Sequence, residues 1–300
     1  MSLISRIGYR PRKREPISVI KSISCKEISI IVPVKDNQKG IDTFLNALEE
    51  VTRKEHHVKE VIIVDNLSKM PVEVQGKYSF NVIVTSCKII GPAAARNQGA
   101  SIAHGTWLLF LDSDCIPSST TISGYLTEQN QHLAYAGNVK VSSQGWLSNY
   151  YETQEILIPP EAIDSGAVRP DYLVTANCLI YKEAFDKIGG FDETFKQAGG
   201  EDIDLAFRLL TIGSIEYQWN SIVYHNFDDG FIGFIKRFNR YGKGNKQLAK
   251  KHTLNLSPRC FIPEKVSLIN LALSFIQFLS MSKGYHSYEL IKNEVKDIRF

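Results

Sequence analysis

Three hundred residues, 43% of them apolar, suffice for one large α/β domain with appendages, and no internal repeat or low-complexity segment points to a fibrous or disordered chain. The formal charge of +3 is unevenly spread: residues 1–26 carry seven Lys/Arg and one Glu, a net +6 that leaves −3 on the rest. The basicity therefore belongs partly to a tail, which argues against a fold-wide nucleic-acid face. Five cysteines, odd in number and without C-x-x-C spacing, exclude a disulfide framework and fit a reducing compartment.

Taken in chain order, the tail Arg10-Pro-Arg-Lys-Arg14 reads as a solvated segment, with attraction to an anionic membrane surface as the sharper alternative. Its charges are followed by no apolar stretch, so no signal peptide is expected and a cytoplasmic location is. From residue 28 strands and helices alternate. Ile28 to Val34 is a β-branched run typical of a buried parallel strand, and Ile41, Phe44, Leu45 and Leu48 recur at helical spacing. Strands follow at Val58 to Asp65, Phe80 to Thr85 and Trp107 to Leu111, with a helix from Ala93 to Ala103. This order implies right-handed crossovers and a mostly parallel sheet with helices on both faces. Ligands of such sheets sit beyond the carboxyl ends of the strands, where Asp36, Asp65 and Asp112 all fall.

Beyond residue 130 the pattern is mixed. Strands fit Ala134 to Val141, Tyr172 to Tyr181 and Glu216 to Tyr224, and Glu201 to Leu210 is helical, with an Asp204/Arg208 pair at i,i+4. The irregular stretch Pro159 to Pro170 is expected as a flexible loop over a site. Residues 236–244, basic and glycine-containing, read either as a strip over a bound phosphate or as an amphipathic helix face. Val266 to Met281 would span about 24 Å as a helix, against about 30 Å of hydrocarbon. It also contains Ser267, Asn270, Ser274 and Gln277, so a docking helix fits better than a transmembrane span.

Asp112 and Asp114 close the apolar run Trp107 to Leu111. Strand side chains alternate, so both leave the strand end on one side and can point at one ion. An all-oxygen set suits Mg²⁺ or Mn²⁺ shared with a substrate phosphate. Taken alone, such a pair is also a common solvated turn. Arg96 lies at a small-residue helix start, where a guanidinium and the helix N-terminus both favour phosphate.

These residues sit in a larger pattern. ISIIVPVKDN (28–37), VIIVDNLS (61–68), GPAAARNQGASIAHGTWLLFLDSD (91–114), IGGFDETF (188–195) and GGEDIDLAFRL (199–209) together resemble the family 2 glycosyltransferases of the GT-A fold, over roughly residues 28–245. The resemblance implies transfer of a sugar from a nucleoside diphosphate donor, UDP-sugar favoured, with inversion and a divalent Mn²⁺ or Mg²⁺. It implies that Asp65, and less directly Asp36, contact the nucleoside. Pro33 shapes the strand exit beside them, and Arg96, Asp112 and Ser113 lie along the donor. Asp112 and Asp114 would hold the metal with His225 as a third ligand, and Arg237 or Arg240 would touch the diphosphate. Asp202 is implied as general base, with Glu201 orienting the acceptor or serving in its place.

The resemblance leaves the acceptor open among a saccharide, a lipid-linked glycan and a peptide. The Q-x-x-R-W signature of processive members is absent, Arg237-Phe-Asn-Arg-Tyr-Gly242 standing in its place, so single-sugar transfer is expected. The domain plan is a basic tail (1–27), a GT-A domain (28–252, with a nucleotide half at 28–130 and an acceptor half at 131–252) and a helical extension (253–300). Two rivals remain. A nucleotidyltransferase would carry a glycine-rich basic loop after the first strand, where this chain reads Val34-Lys-Asp-Asn-Gln-Lys-Gly40. A degenerate glycan-binding module would not need Asp112, Asp114 and Asp202. No G-x-G-x-x-G follows a strand, so no Rossmann dehydrogenase is expected.

Overall fold

The computed structural model describes residues 17, 20–52, 57–126, 132–164, 167–227 and 229–297, apart from the side chains of 163, 164, 167 and 289–297. The basic tail expected at 1–27 lies largely outside the described residues.

The buried run Ile28–Val34 forms strand β1, and α1 (Gln38–Thr52) then buries Ile41, Phe44, Leu45 and Leu48, the stripe its spacing predicts. Strands β2 (Glu60–Asp65) and β3 (Val82–Ser86) follow, then α2 (Pro92–Ile102), β4 (Trp107–Leu111) and the short β5 (Cys115–Pro117). The second half contains β6 (Ala134–Val141), α3 (Trp146–Thr153), β7 (Glu161–Asp164), β8 (Ala167–Pro170), β9 (Asn177–Tyr181) and α4 (Lys182–Lys187). It closes with α5 (Glu201–Leu209), β10 (Ile215–His225), α6 (Gly230–His252) and α7 (Leu268–Asp297).

Eight strands form one sheet in the order β3-β2-β1-β4-β9-β6-β10-β5. β3, β2, β1 and β4 run parallel, β9 is antiparallel to β4 and β6, β10 is parallel to β6, and β5 is antiparallel to β10. The strand order reverses between β1 and β4. That switch point opens a crevice beyond their carboxyl ends, and Pro33 and Asp112 both line it. Every residue of β4 is buried, with Trp107 among the largest enclosed side chains, which explains the unbroken apolar run in the sequence.

Two sequence expectations change. Pro159 to Pro170 contains β7 and β8, paired antiparallel with Glu161 opposite Pro170. Strands of four residues carry too few alternations to show a period of two. Tyr172 to Thr175, read as the start of a strand, lies outside β9, because an apolar run shows burial and not backbone form. Residues 236–244 are helical within α6. Cβ atoms placed on Gly242 and Gly284 would collide with the backbone carbonyls of Met281 and Asn239. Glycine at these two points lets α6 and α7 pack closely. The contact advances in the same direction along both helices, from Asn239–Ser280 to Lys246–Tyr285 to Lys250–Tyr288, so the two run parallel. Among the described residues no helix is long and apolar enough to cross a membrane.

Asp204 ties α5 to α6. Its fully buried carboxylate meets Arg208 one turn along at 2.7 Å, and Lys251 and His252 of α6 at 2.7 and 2.8 Å. Burial raises its pKa, but the His252 hydrogen bond and the charges of Arg208 and Lys251 outweigh this and bring it down to about 2. A depressed carboxylate stabilises the fold above its unfolded pKa, and that contribution disappears as pH falls through the folded value. Asp204→Asn is therefore expected to cost about 2 kcal/mol at pH 7. Thermal unfolding of both proteins should show the gap narrowing as pH drops from about 4 toward about 2. An equal melting temperature at pH 7 would remove Asp204 from the list of stabilising contacts.

Candidate active site

Beyond β1 and β4 a cavity of about 1060 Å³ opens, and Pro33, Asp112, Ser113, Asp114, Asp202 and His225 all line it. Its far wall comes from α6 and α7 through Arg237, Arg240, Tyr241, Gln277 and Met281. The strand ends and the acidic start of α5 thus meet in one space, although they are some 90 residues apart in the chain, about the separation of Asp112 and Asp202.

Arg96 organises the acidic side. Its guanidinium is buried, and it donates from Nη2 to Asp112 Oδ1 at 2.8 Å and from Nη1 to Glu201 Oε1 at 3.0 Å. Burial lowers its pKa, but the charges of Asp112 and Glu201 outweigh this and keep it protonated. Glu201 is itself buried and accepts a second hydrogen bond from the Gly199 amide at 2.6 Å, so both its oxygens are engaged. Asp202 beside it faces the cavity, with the Ile203 amide donating to it at 2.9 Å. Burial pushes its pKa up, the Glu201 charge adds to this, and the result is about 7 despite Arg96 and backbone hydrogen bonds pulling the other way. Of the two acids at the start of α5, Asp202 has the available proton-accepting oxygen.

Asp114 and His225 meet through strand register. β5 pairs with β10 so that Cys115 lies opposite His225, which brings Asp114 Oδ2 to 3.4 Å from His225 Nε2. The ring of His225 stacks on Phe227 at 4.3 Å, and its buried Nδ1 has no hydrogen-bond partner among the described residues. Burial raises the Asp114 pKa and Asp112 adds to it, while His225 and Arg237 oppose. One ligand atom each from Asp114, Cys115 and His225 lies within 4.8 Å of the others. Cys115 is a poor third ligand: its Sγ donates to the Ala176 carbonyl, and burial holds it well above the ordinary thiol pKa. A carboxylate and an imidazole, with Asp112 two residues away, form a donor set that fits a divalent ion such as Mn²⁺. Asp112 lines the same cavity but is not part of that triplet, and its Oδ1 is held by Arg96.

Other predicted residues fall unevenly. Arg237 donates to Asp229 at 2.9 Å and stacks over Phe227 and Tyr151, with its centre 4.9 and 5.5 Å from those rings. Arg240 donates from Nε to the Ala198 carbonyl at 2.7 Å. Both line the cavity. Asp36 and Asp65 do not: Asp36 accepts from the Lys69 amide at 2.7 Å, and Asp65 accepts from the Ser68 and Val72 amides at 3.0 and 3.3 Å. Their neighbours Lys35 and Asn66 line the cavity instead. Asp192, within the IGGFDETF segment, is tied to Lys251 at 2.6 Å and stands outside the cavity.

Asn66 and Asn37 escaped the sequence reading. Asn66 donates to the Cys87 and Ile89 carbonyls and accepts from the Gly91 amide at 2.9 Å, fastening the end of β2 to the loop before α2. Asn37 donates to both the carbonyl and the hydroxyl of Ser113 at 3.2 Å, which holds the Asp112–Asp114 turn against the end of β1. Their only sequence signal is that each directly follows an Asp at or just beyond the end of a strand.

A family profile described as glycosyl transferase family 2 matches residues 29–189, and one described as the N-terminal domain of galactosyltransferase matches residues 169–223. The pre-mycofactocin glycosyltransferase of Mycobacterium tuberculosis is 27% identical over 256 residues, which cover 78% of this chain and 50% of that protein. An uncharacterized glycosyltransferase of Haemophilus influenzae is 33% identical over 196 residues, covering 61% of this chain and 62% of that protein. The chain thus spans about half the length of the first relative and under two thirds of the second. The mannosyltransferase PcManGT of Pyrobaculum calidifontis, solved with GDP-Man and Mn²⁺, superposes with a TM-score of 0.52 at 13% identity, over 96% of this chain and 80% of that one. That likeness shows the fold, which is GT-A.

Glu201→Gln keeps the side chain's shape but leaves the buried Arg96 with one anionic partner. The expected cost is about 3 kcal/mol, the scale of a broken buried pair. Differential scanning calorimetry should show a melting temperature lower by several degrees. An unchanged value would mean that Arg96 does not depend on Glu201.

Proposed function

The chain belongs to glycosyl transferase family 2, and on that premise we propose that its cavity transfers one sugar at a time from a nucleoside diphosphate sugar to an acceptor hydroxyl. The acceptor class is a saccharide or glycoconjugate. The observation that carries this reading is the meeting of Asp112, Asp114, His225, Asp202 and Arg237 in one cavity at the switch point of the sheet.

The nucleoside is proposed to lie along Pro33, Lys35 and Asn66, which line the cavity. Asp65 and Asp36 stand beside it with oxygens held by loop amides, and a nucleoside contact requires them to share or turn an oxygen toward a uracil N–H or a ribose hydroxyl. A UDP-sugar is favoured by the family resemblance. A divalent ion held by Asp114 and His225, with Asp112 alongside, would neutralise charge on the diphosphate. Arg237 and Arg240 face the same space and supply fixed positive charge to the departing nucleoside diphosphate.

Asp202 is the proposed base. It takes the acceptor hydroxyl's proton as that oxygen bonds to the anomeric carbon, and the bond from that carbon to the diphosphate oxygen breaks with its electron pair leaving on the diphosphate. A single displacement of this kind inverts the anomeric centre. A carboxylate pKa of about 7 suits proton acceptance near neutral pH. Glu201, with both oxygens held by Arg96 and Gly199, positions Arg96 rather than accepting a proton.

Two outcomes are expected. Asp202 must be deprotonated to act, so kcat/KM should fall about tenfold per pH unit below about 7, and Asp202→Asn should lower turnover about 10²-fold or more while donor binding persists. A flat profile between pH 5 and pH 8 would assign the base elsewhere. In titration calorimetry, UDP should bind at least about tenfold more weakly after chelation of divalent ions, and Asp114→Asn should remove that difference. Equal affinity with and without chelator would exclude a metal on the diphosphate.

A further inference from the structure

α7 is amphipathic in reverse. The stripe it turns toward the protein carries Asn270, Ser274, Gln277 and Ser280, all buried, with Leu273 and Tyr285 among them. The stripe it turns outward carries Leu268, Leu271, Phe275 and Leu279, exposed by 88%, 39%, 52% and 48%. In water the opposite arrangement is expected, because a surface helix buries its apolar stripe. The segment leading into α7 continues the pattern with Phe261, Ile262 and Val266 exposed.

α6 runs parallel to α7 and extends the same surface. Phe231, Ile232 and Ile235, within about one and a half turns at its N-terminal end, are exposed, and Trp146 of α3 adjoins Phe231 with ring centroids 6.3 Å apart. Ile235 and Leu279 face each other across a groove of about 710 Å³ between the helices. Lys236, Lys243 and Lys283 line the same groove beside these apolar side chains. From Gly230 to Lys251 the chain has seven Lys/Arg and no Asp or Glu, and from 257 to 283 it has three Lys/Arg against the single Glu264.

We propose that this face, the N-terminal ends of α6 and α7 with the segment from Phe261 to Val266, docks on an anionic lipid bilayer. The apolar ends enter the boundary between headgroups and acyl chains, and the lysines behind them sit at the level of the lipid phosphates. Trp146 lies at the margin, where an indole is well placed between apolar and wet surroundings. Charge distinguishes this occupant from a second copy of the chain, since pairing two such faces would bring one lysine array against another. α7 also lines the active-site cavity through Gln277 and Met281, so one helix joins the docking face to the site. The docking is independent of which sugar the cavity transfers, and of whether it transfers one.

The test is flotation of the full chain with vesicles of phosphatidylcholine alone and of phosphatidylcholine mixed with phosphatidylglycerol, at low and high salt. The mixed vesicles should carry the protein at low salt and retain less at high salt, with weaker binding to phosphatidylcholine alone. The triple variant Ile232→Asp, Ile262→Asp, Leu268→Asp changes only exposed side chains and should keep its melting temperature while binding at least tenfold more weakly. Lys236→Glu with Lys283→Glu should abolish the preference for phosphatidylglycerol. Protein left in the soluble fraction with mixed vesicles at low salt would overturn the proposal, as would a triple variant that binds like the parent. Light scattering that shows a dimer dissociated by the triple variant would also overturn it, and would make a second copy the occupant.

Discussion

The buried guanidinium of Arg96 is the contact on which the site depends. It reaches from α2 to Asp112 at the end of β4 and to Glu201 at the start of α5, segments that are 16 and 105 residues away in the chain. A charge with so little access to water is tolerable only when paired, so the three elements hold one another in place. The pairing also separates the acidic residues. Asp112 and Glu201 each give an oxygen to Arg96, while Asp114 and Asp202 line the same cavity without a bond to it.

Strand register supplies the second constraint. Because β5 turns back antiparallel onto β10, the residue after Asp114 is fixed opposite His225, and the two side chains meet with little freedom to part. Across the cavity, α6 presents Arg237 and Arg240, each anchored by Asp229 or by the Ala198 carbonyl. The cavity thus has an acidic floor that suits a cation and a basic wall that suits a phosphate. A nucleoside diphosphate with a divalent ion matches both surfaces at once, and a bare sugar matches neither.

Much of this was legible because buried parallel strands read as continuous apolar runs, so 28–34 and 107–111 announced both edges of the switch point. Asp112, Asp114, Asp202 and His225 could be named from motifs, and they do line one cavity. What the sequence concealed was which partner each charge would take. Arg96 looked like a phosphate contact, yet it meets two carboxylates, one of them 105 residues away. Asp65 ends β2 and Asp36 lies two residues beyond β1, but both turn to loop amides, and no local pattern distinguishes these outcomes. The polar residues Asn270, Ser274 and Gln277 were visible as interruptions of an apolar segment. That they all face inward required the packing of α7 against α6.

The central claim is that a divalent ion and a nucleoside diphosphate share the cavity at Asp114 and His225. Diffraction from crystals soaked with UDP and Mn²⁺, recorded at the manganese absorption edge, tests it most directly. The account predicts an anomalous peak within bonding distance of Asp114 and His225, with the diphosphate beside it and toward Arg237 and Arg240. A nucleotide bound in the cavity with no peak at those two residues, or a peak elsewhere, would contradict it.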